Sequence, residues 1–414
     1  MEAQTKTAES KVIKQARWKT EIQKSIRTVD QLKTFLSLSK KETAKLSEVT
    51  KRFQMAITPY YAKLIDINNP YDPIKRLVVP SEEELSVEGY FDTSGEEDNT
   101  KVRGLQHKYD NTALLLPTPV CTSYCRYCFR KRLTLSNMAK FETAVDWEKT
   151  FDYLREHTEI DNVLITGGDP MMLSNEKIEY MLQNFREIDH IKMIRIGTKF
   201  LSFNPFRFMD DELVGIFKRY STNDKKIYIV AHYDHPRELT KESLEAVDLL
   251  VNNGIPLLNQ CVLHRGINDS PEIIADLHNR LYAAGVAPYY LFQMRPVKGS
   301  LQFRLPLIEG LRIFERAKRK MSGPAKRVRF IMSHYTGKIE IFGTTEVNGK
   351  EHIILKYHQA RNKEDIGRII IAPVKEDAYW LSDLVDVEEI CTADEKENIV
   401  EDKNINGKTA QIET

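Results

Sequence analysis

The chain has 414 residues, 41% of them hydrophobic, and a formal net charge of +1. That is enough apolar material for a large core or two domains, and near-neutrality excludes general attraction to nucleic acid or to an anionic membrane surface. No run approaches the roughly 18 apolar residues of a membrane span, and no apolar N-terminal stretch resembles a signal peptide, so a cytoplasmic location is expected.

Residues 1 to 58 are charge-rich, with Val29, Leu32, Phe35 and Leu36 at helical spacing, which predicts a helical extension. Residues 59–111 carry Pro70, Pro73 and Pro80 and the acidic cluster Glu96–Asp98; they read as irregular and complete an N-terminal extension over 1–111. Short apolar runs then recur at Ala113–Leu116, Val163–Thr166, Met193–Ile196, Ile227–Val230, Leu257–Leu263 and Pro288–Phe292. Helix-like stretches separate them at Val145–Arg155, Asn175–Phe185, Asp210–Tyr220, Lys241–Asn252 and Glu272–Ala284.

This alternation predicts an α/β fold with parallel strands and crossover helices. The number of units favours a partial (β/α)6 barrel over 112–334, short of eightfold closure. Past Val328–Met332, Lys338–Gly343 and His352–Tyr357 flank Val347-Asn348-Gly349, which predicts a β-hairpin in a C-terminal region at 335–391. The polar segment 392–414 carries both charge signs and is expected to be disordered. No internal repeat is present.

Chemistry concentrates at strand ends. Cys121, Cys125 and Cys128, in Cys-Thr-Ser-Tyr-Cys-Arg-Tyr-Cys-Phe-Arg, follow the first run, Gly167-Gly168-Asp169-Pro170 the second, His232 the fourth and Arg295 the sixth. In parallel α/β folds those ends share the rim where ligands bind. Five cysteines are an odd number in a chain too long to need staples, which argues against disulfides. A structural zinc site needs four ligands, and Cys261, Cys391, His232 or His235 could complete one only from far along the chain. Three thiolates spaced C-x3-C-x2-C suit a four-iron cluster with one iron left for a small molecule. Cys261 and Cys391 read as ordinary thiols. Glycines let backbone approach closely, although Gly-Gly-Asp-Pro alone would be an ordinary turn.

The cysteine triplet resembles that of the radical S-adenosylmethionine enzymes. There the open iron chelates the methionine moiety, and one electron cleaves the sulfonium to a 5′-deoxyadenosyl radical. Gly167-Gly168-Asp169-Pro170 is similar to the second motif of those enzymes, which holds the methionine amino group. The likeness narrows with Cys-Arg-Tyr-Cys-Phe-Arg-Lys-Arg, His-Tyr-Asp-His-Pro at 232–236, Asn-Gln at 259–260, Arg-Gly-Ile-Asn-Asp at 265–269 and Pro-Tyr-Tyr-Leu-Phe-Gln at 288–293. In order, from about Arg52 to Lys338, these resemble the lysine 2,3-aminomutase family.

That resemblance implies three cofactors, a [4Fe-4S] cluster, S-adenosylmethionine and pyridoxal 5′-phosphate, and migration of an amino group from the α- to the β-carbon of an amino acid. It implies cluster ligation by Cys121, Cys125 and Cys128. Arg130 would grip the substrate carboxylate, as a planar guanidinium can. Lys338 would be the Schiff-base lysine. Lys108 and Tyr109 would bind phosphate and stack on the pyridine ring. Tyr127, Gly167, Gly168, Asp169, His232 and Gln260 would line the S-adenosylmethionine side. An electron donor such as flavodoxin or ferredoxin and homo-oligomeric assembly are implied as well. Read without the resemblance, Arg130 is a surface arginine in a basic run, His232 a structural histidine and Lys338 an exposed lysine opening a hairpin strand.

The chain departs from the family pattern in places. Thr112 stands where a second phosphate-binding arginine is usual, His334-Tyr335-Thr336-Gly337 replaces a glycine-rich stretch, and Arg195-Ile196-Gly197-Thr198-Lys199-Phe200 lacks the usual arginine–aliphatic–proline continuation. Lysine-specific members hold the substrate ammonium with two aspartates, and the corresponding places here are Arg295 and Ser333. Two positive charges about 4 Å apart at an effective dielectric near 20 repel by roughly 4 kcal/mol. An acidic substrate such as glutamate is therefore expected; read without the resemblance, Arg295 pairs with an internal acid or binds a phosphate. The alternative is a radical enzyme without pyridoxal, acting on a carboxylate substrate by hydrogen abstraction, epimerisation or rearrangement. A non-catalytic metal-binding scaffold would account for the cysteines but not for the joint motifs.

Overall fold

The structure is a computed structural model that describes residues 17–134 and 145–386. The expected disordered segment 392–414 and Cys391 lie outside the described residues. One sheet of 12 strands runs in chain order. Its first strands are β1 (Thr100–Val102), β2 (Leu105–Tyr109), β3 (Thr112–Leu115) and β4 (Asn162–Ile165), followed by β5 (Met193–Thr198), β6 (Lys226–His232), β7 (Leu257–Leu263) and β8 (Val286–Gln293). The last are β9 (Arg329–Ser333), β10 (Gly337–Val347), β11 (Lys350–Ala360) and β12 (Ile369–Pro373).

From β3 to β9 every neighbouring pair is parallel, so the six expected strands of the partial barrel gain β9 as one more parallel member. At both ends the sheet turns antiparallel, through β1–β2–β3 and through β9–β10–β11–β12. The C-terminal hairpin is thus continuous with the barrel sheet. Its turn is Asn348-Gly349, with φ 53° and 74°, the left-handed pair that matches strand twist in a two-residue hairpin.

The five expected crossover helices fall at Trp147–Glu156, Asn175–Arg186, Asp211–Tyr220, Lys241–Asn252 and Pro271–Ala283. Asp146, Ser174, Asp210, Thr240 and Ser270 cap them by accepting from first-turn backbone N–H groups, and those groups would otherwise lack partners. A further crossover helix, Leu307–Lys320, buries Leu307, Leu311 and Phe314. The sequence pattern understated it because of Gly310, a poor helix former. A Cβ there would lie 3.0 Å from Phe330 and 3.1 Å from Leu263, so the glycine is what lets the helix sit close on the sheet.

The irregular reading of 59–111 needs correction. It contains the β1–β2 hairpin and the helices Pro59–Ala62 and Pro73–Val78, each with proline in its first turn. Proline there lacks only an N–H the helix would not use, and its fixed φ suits helix entry. Upstream, Val29–Leu36 and Lys40–Arg52 are helical, with capping boxes at Thr28 and Ser39.

Two buried charge clusters bind this N-terminal part to the cysteine loop. Glu84, fully buried, accepts from Arg126 at 2.6 Å and Lys131 at 2.8 Å. Glu96 accepts from Arg130 at 2.7 Å and Arg132 at 2.8 Å. Burial pushes both acids upward, but the paired cations hold both below the usual carboxylate range, Glu96 at about 2. Arg130-Lys131-Arg132 is therefore a buried set of struts, each residue under a tenth exposed, and not a solvated run.

Candidate active site

Every candidate site residue lines one cavity of about 320 Å³, a volume in the range of small-molecule sites. The strand ends bring one half of it together. Cys121, Cys125 and Cys128 sit on the loop after β3, Gly167, Gly168 and Asp169 after β4, and His232 at the end of β6. Gln260 is the register partner of His232 across β6 and β7.

The glycines of the turn pack closely against the cysteine loop. A Cβ on Gly168 would stand 2.5 Å from the Pro119 carbonyl carbon and the Val120 oxygen, and Gly167 has φ +117°. Gly168 N donates to Thr118 O at 2.7 Å and Asp169 N to Val120 O at 2.9 Å. The two glycines thus also let the turn lie close against the loop that carries Cys121. Asp169 accepts from Thr198 Oγ1 at 2.8 Å and from Lys199 N at 2.9 Å, tying the ends of β4 and β5. Burial raises its carboxyl to about 6 despite those bonds.

Among the described residues the one trio of possible ligands with donor atoms within 4.8 Å of one another is His107, His157 and Glu159. The cysteine sulfurs do not meet that condition. Zn–S bonds of about 2.3 Å would hold sulfurs within roughly 4 Å, so the wider cysteine spacing suits the corners of a multi-iron cluster. Burial raises all three thiols, Cys125 to about 12, as it does the buried thiol of Cys261.

Beneath them lies a polar network the sequence did not reveal. Tyr127 Oη donates to Asp234 Oδ2 at 2.5 Å and lies 3.1 Å from His232 Nε2, which is 3.0 Å from Asp234 Oδ1. Lys199 Nζ pairs with Asp234 at 2.8 Å and Glu238 at 2.9 Å, and those acids keep it charged against burial. His232 and Tyr127 are therefore held by fixed partners while both line the cavity.

The other half is built by the antiparallel ends. Lys338 opens β10 but is not the exposed lysine of the simpler reading. Its Nζ donates to Gln359 Oε1 at 2.9 Å and sits 4.3 Å from the Tyr109 ring centroid. Burial, then Arg195, Lys108 and Arg295, press its amine well below the ordinary lysine range. A neutral amine is the nucleophilic form. Gly337, just before it, has no room for a side chain, since a Cβ would lie 2.2 Å from Gln359 O. His334 and Gly337 exchange backbone bonds of 2.8 and 3.2 Å, so a tight turn fills the place of a glycine-rich stretch. Lys108 Nζ donates to the His334 and Ser94 carbonyls, both at 3.1 Å, and burial followed by Arg295 lowers it to about 7.

Phe129 joins the halves, with the guanidinium carbons of Arg130 and Arg295 at 4.5 and 4.4 Å from its ring centroid. Arg295 donates to Ser333 Oγ at 2.7 Å and also to Ser94 Oγ. The cavity's cations divide sharply. Arg126, Arg130, Lys131 and Lys199 have carboxylate partners, whereas among the described residues Lys108, Arg195 and Arg295 have none within 4.0 Å. Concentrated unpaired positive charge in a buried space calls for an anionic occupant. Arg195, Gln359 and Phe129 were not singled out from sequence. Gln359 enters only through the hairpin pairing, and Arg195 stood in the segment noted for its departure from the family.

The Radical SAM superfamily profile matches residues 115–277. A protein of Aquifex aeolicus (strain VF5) named "Putative L-lysine 2,3-aminomutase" is 43% identical over 88% of this chain and 96% of its own. The L-lysine 2,3-aminomutase of Clostridium subterminale is 36% identical, over 74% of this chain and 73% of its own. This chain belongs to the lysine 2,3-aminomutase family. The glutamate 2,3-aminomutase of Clostridioides difficile (strain 630) is 37% identical over 74% of this chain and 72% of its own, so the family spans more than one substrate.

The member described here is accordingly a radical S-adenosylmethionine enzyme and an isomerase, with a partial barrel of that type. A four-iron cluster and S-adenosylmethionine are the superfamily's cofactors, and the aminomutases add pyridoxal phosphate. No helix among the described residues is long and apolar enough to cross a membrane.

Proposed function

We propose that this aminomutase acts on an acidic amino acid, glutamate giving β-glutamate. The observation that carries the reading is Arg295, a cavity arginine with no acid within 4.0 Å among the described residues and held in place by Ser94 and Ser333. Burial lowers its guanidinium to about 10, which still leaves it charged at neutral pH. A lysine substrate would bring an ammonium to that cation, whereas a second carboxylate would neutralise it.

In this reading Cys121, Cys125 and Cys128 hold the cluster, and Tyr127, Gly167, Gly168, Asp169, His232 and Gln260 line the S-adenosylmethionine end. Lys338 carries the pyridoxal, Tyr109 faces its ring and Lys108 its phosphate. The unpaired cations and the lowered Lys338 amine fit that group. When bound, the cofactors supply a radical and a path for nitrogen between adjacent carbons. The chain's own part is to place the substrate. Arg130, fixed through Nε by Glu96 and with Nη1 donating to Thr166 Oγ1 at 3.4 Å, presents its terminal N–H groups to the α-carboxylate, while Arg295 and Ser333 take the distal one. Both guanidinium carbons lie against Phe129, within about 9 Å of each other, a span a short dicarboxylate can bridge.

The assignment of Lys338 is tested by reconstituting the full chain anaerobically with iron, sulfide and pyridoxal phosphate. Wild-type protein should show a visible absorption band of lysine-bound cofactor that Lys338→Ala lacks. An unchanged band in Lys338→Ala would refute the assignment. No band in either protein, together with 5′-deoxyadenosine formation, would point to the pyridoxal-free alternative.

A further inference from the structure

We infer that Arg195 receives the phosphate ester of the pyridoxal cofactor, filling the place that Thr112 leaves without charge. The inference rests on Lys338 as the cofactor lysine. In pyridoxal phosphate the aldehyde and the phosphate-bearing arm sit on neighbouring ring carbons, so an amine that bonds the aldehyde brings the phosphate within a few ångströms. A cation near Lys338 that no acid of the protein already occupies would suit that phosphate.

Arg195 meets that requirement. It projects from β5 and lines the cavity. Its Nη2 donates to Asn162 Oδ1 at 2.5 Å and Nη1 to Tyr289 Oη at 3.2 Å. Its buried Nε has no hydrogen-bond partner, and a buried donor left unmet costs free energy until something accepts from it. No carboxylate lies within 4.0 Å among the described residues. Of the charges that act on Lys338, Arg195 is the foremost.

The link to Thr112 is direct. Thr112 Oγ1 donates to the same Asn162 Oδ1 at 3.3 Å, and β4, which carries Asn162, lies between β3 and β5. Arg195 thus reaches across one strand to the space a longer side chain at 112 would enter. Asn162 holds it there, so the guanidinium is already oriented before an anion arrives.

The test compares pyridoxal phosphate with pyridoxal, the same ring without the phosphate, in titrations of the full chain followed by visible absorption. In Arg195→Gln the phosphate-bearing ligand should bind roughly 10- to 100-fold more weakly, the loss typical of a charged hydrogen-bond pair. Pyridoxal should bind with wild-type strength, which also shows that the variant's site is intact. Arg195→Lys, which keeps the charge but not the fork, should fall between. Equal weakening of both ligands would mean that Arg195 is only a strut between β4 and β8, and unchanged pyridoxal phosphate binding would equally overturn the proposal. Were the wild type to bind neither ligand, the Lys338 reading would fall and Arg195 with it.

Discussion

Lys338 and Ser333 are register partners across β9 and β10, and Ser333 Oγ accepts from Arg295 at 2.7 Å. One backbone pairing therefore fixes the distance between the amine assigned to the cofactor and the arginine assigned to the substrate's distal group. In the proposed function, chemistry at one end and selectivity at the other would be set by the same strand pairing.

Reversing the charge at that arginine should reverse the preference. Arg295→Asp is expected to lower kcat/KM for glutamate by at least about 100-fold, since an attraction becomes a repulsion of several kcal/mol, and to raise it for lysine. Steady-state assays with each amino acid under reducing, anaerobic conditions measure both. Glutamate turnover within about threefold of wild type would show that Arg295 does not contact substrate.

The cysteine loop should depend on Gly168 for its shape. Gly168→Ala puts a Cβ 2.5 Å from backbone atoms of Pro119 and Val120, and backbone cannot swing aside as a flexible side chain can. Iron and sulfide per chain after reconstitution should drop well below wild type. Gly215→Ala is the control, because nothing lies within 4 Å of its Cβ and alanine favours the helix by up to about 1 kcal/mol. Full iron content in Gly168→Ala would contradict the account.

Glu96 is the counter-charge of two buried arginines, so Glu96→Gln should cost about 3–5 kcal/mol, the usual penalty for leaving buried charge uncompensated. The native carboxyl is held at about 2, below its unfolded value. Its stabilisation is present above about pH 4.5 and fades as pH falls toward 2. Chemical denaturation at pH 7 and pH 3 would check both points. A loss under about 1 kcal/mol at pH 7 would show the cluster to be dispensable.

Much of this was legible in the sequence, and the omissions have physical causes. Strand–helix alternation marked β3 to β8, and the motifs after Leu115, Ile165 and His232 fell on the rim because parallel strands share their C-terminal ends. Asn348-Gly349 fixed the hairpin, and counting outward from it pairs Lys338 with Gln359, because bulges at Phe342 and His358 cancel. Helix Leu307–Lys320 was obscured by a glycine needed for packing, and the helix at Pro73 by a proline well suited to its start. The Asp234 network was hidden for another reason: Tyr127, Lys199, His232 and Glu238 meet only through tertiary contact.

Cofactor binding should take up a proton at Lys108. Its amine stands at about 7, and a phosphate dianion beside it would favour the charged form and raise that value. Binding is then coupled to protonation above pH 7, so affinity for pyridoxal phosphate should weaken as pH rises from 7 to 9, by up to about tenfold per unit. Lys108→Met should flatten the dependence. An affinity that strengthens across that range would contradict the role given to Lys108.

The central claim is that unpaired positive charge at Arg295 selects an acidic substrate for amino-group migration. The most direct measurement offers anaerobic, reduced, fully reconstituted enzyme an equimolar mixture of glutamate and lysine and follows the β-amino acids by NMR. The account predicts β-glutamate as the dominant product. Accumulation of β-lysine in its place would contradict it.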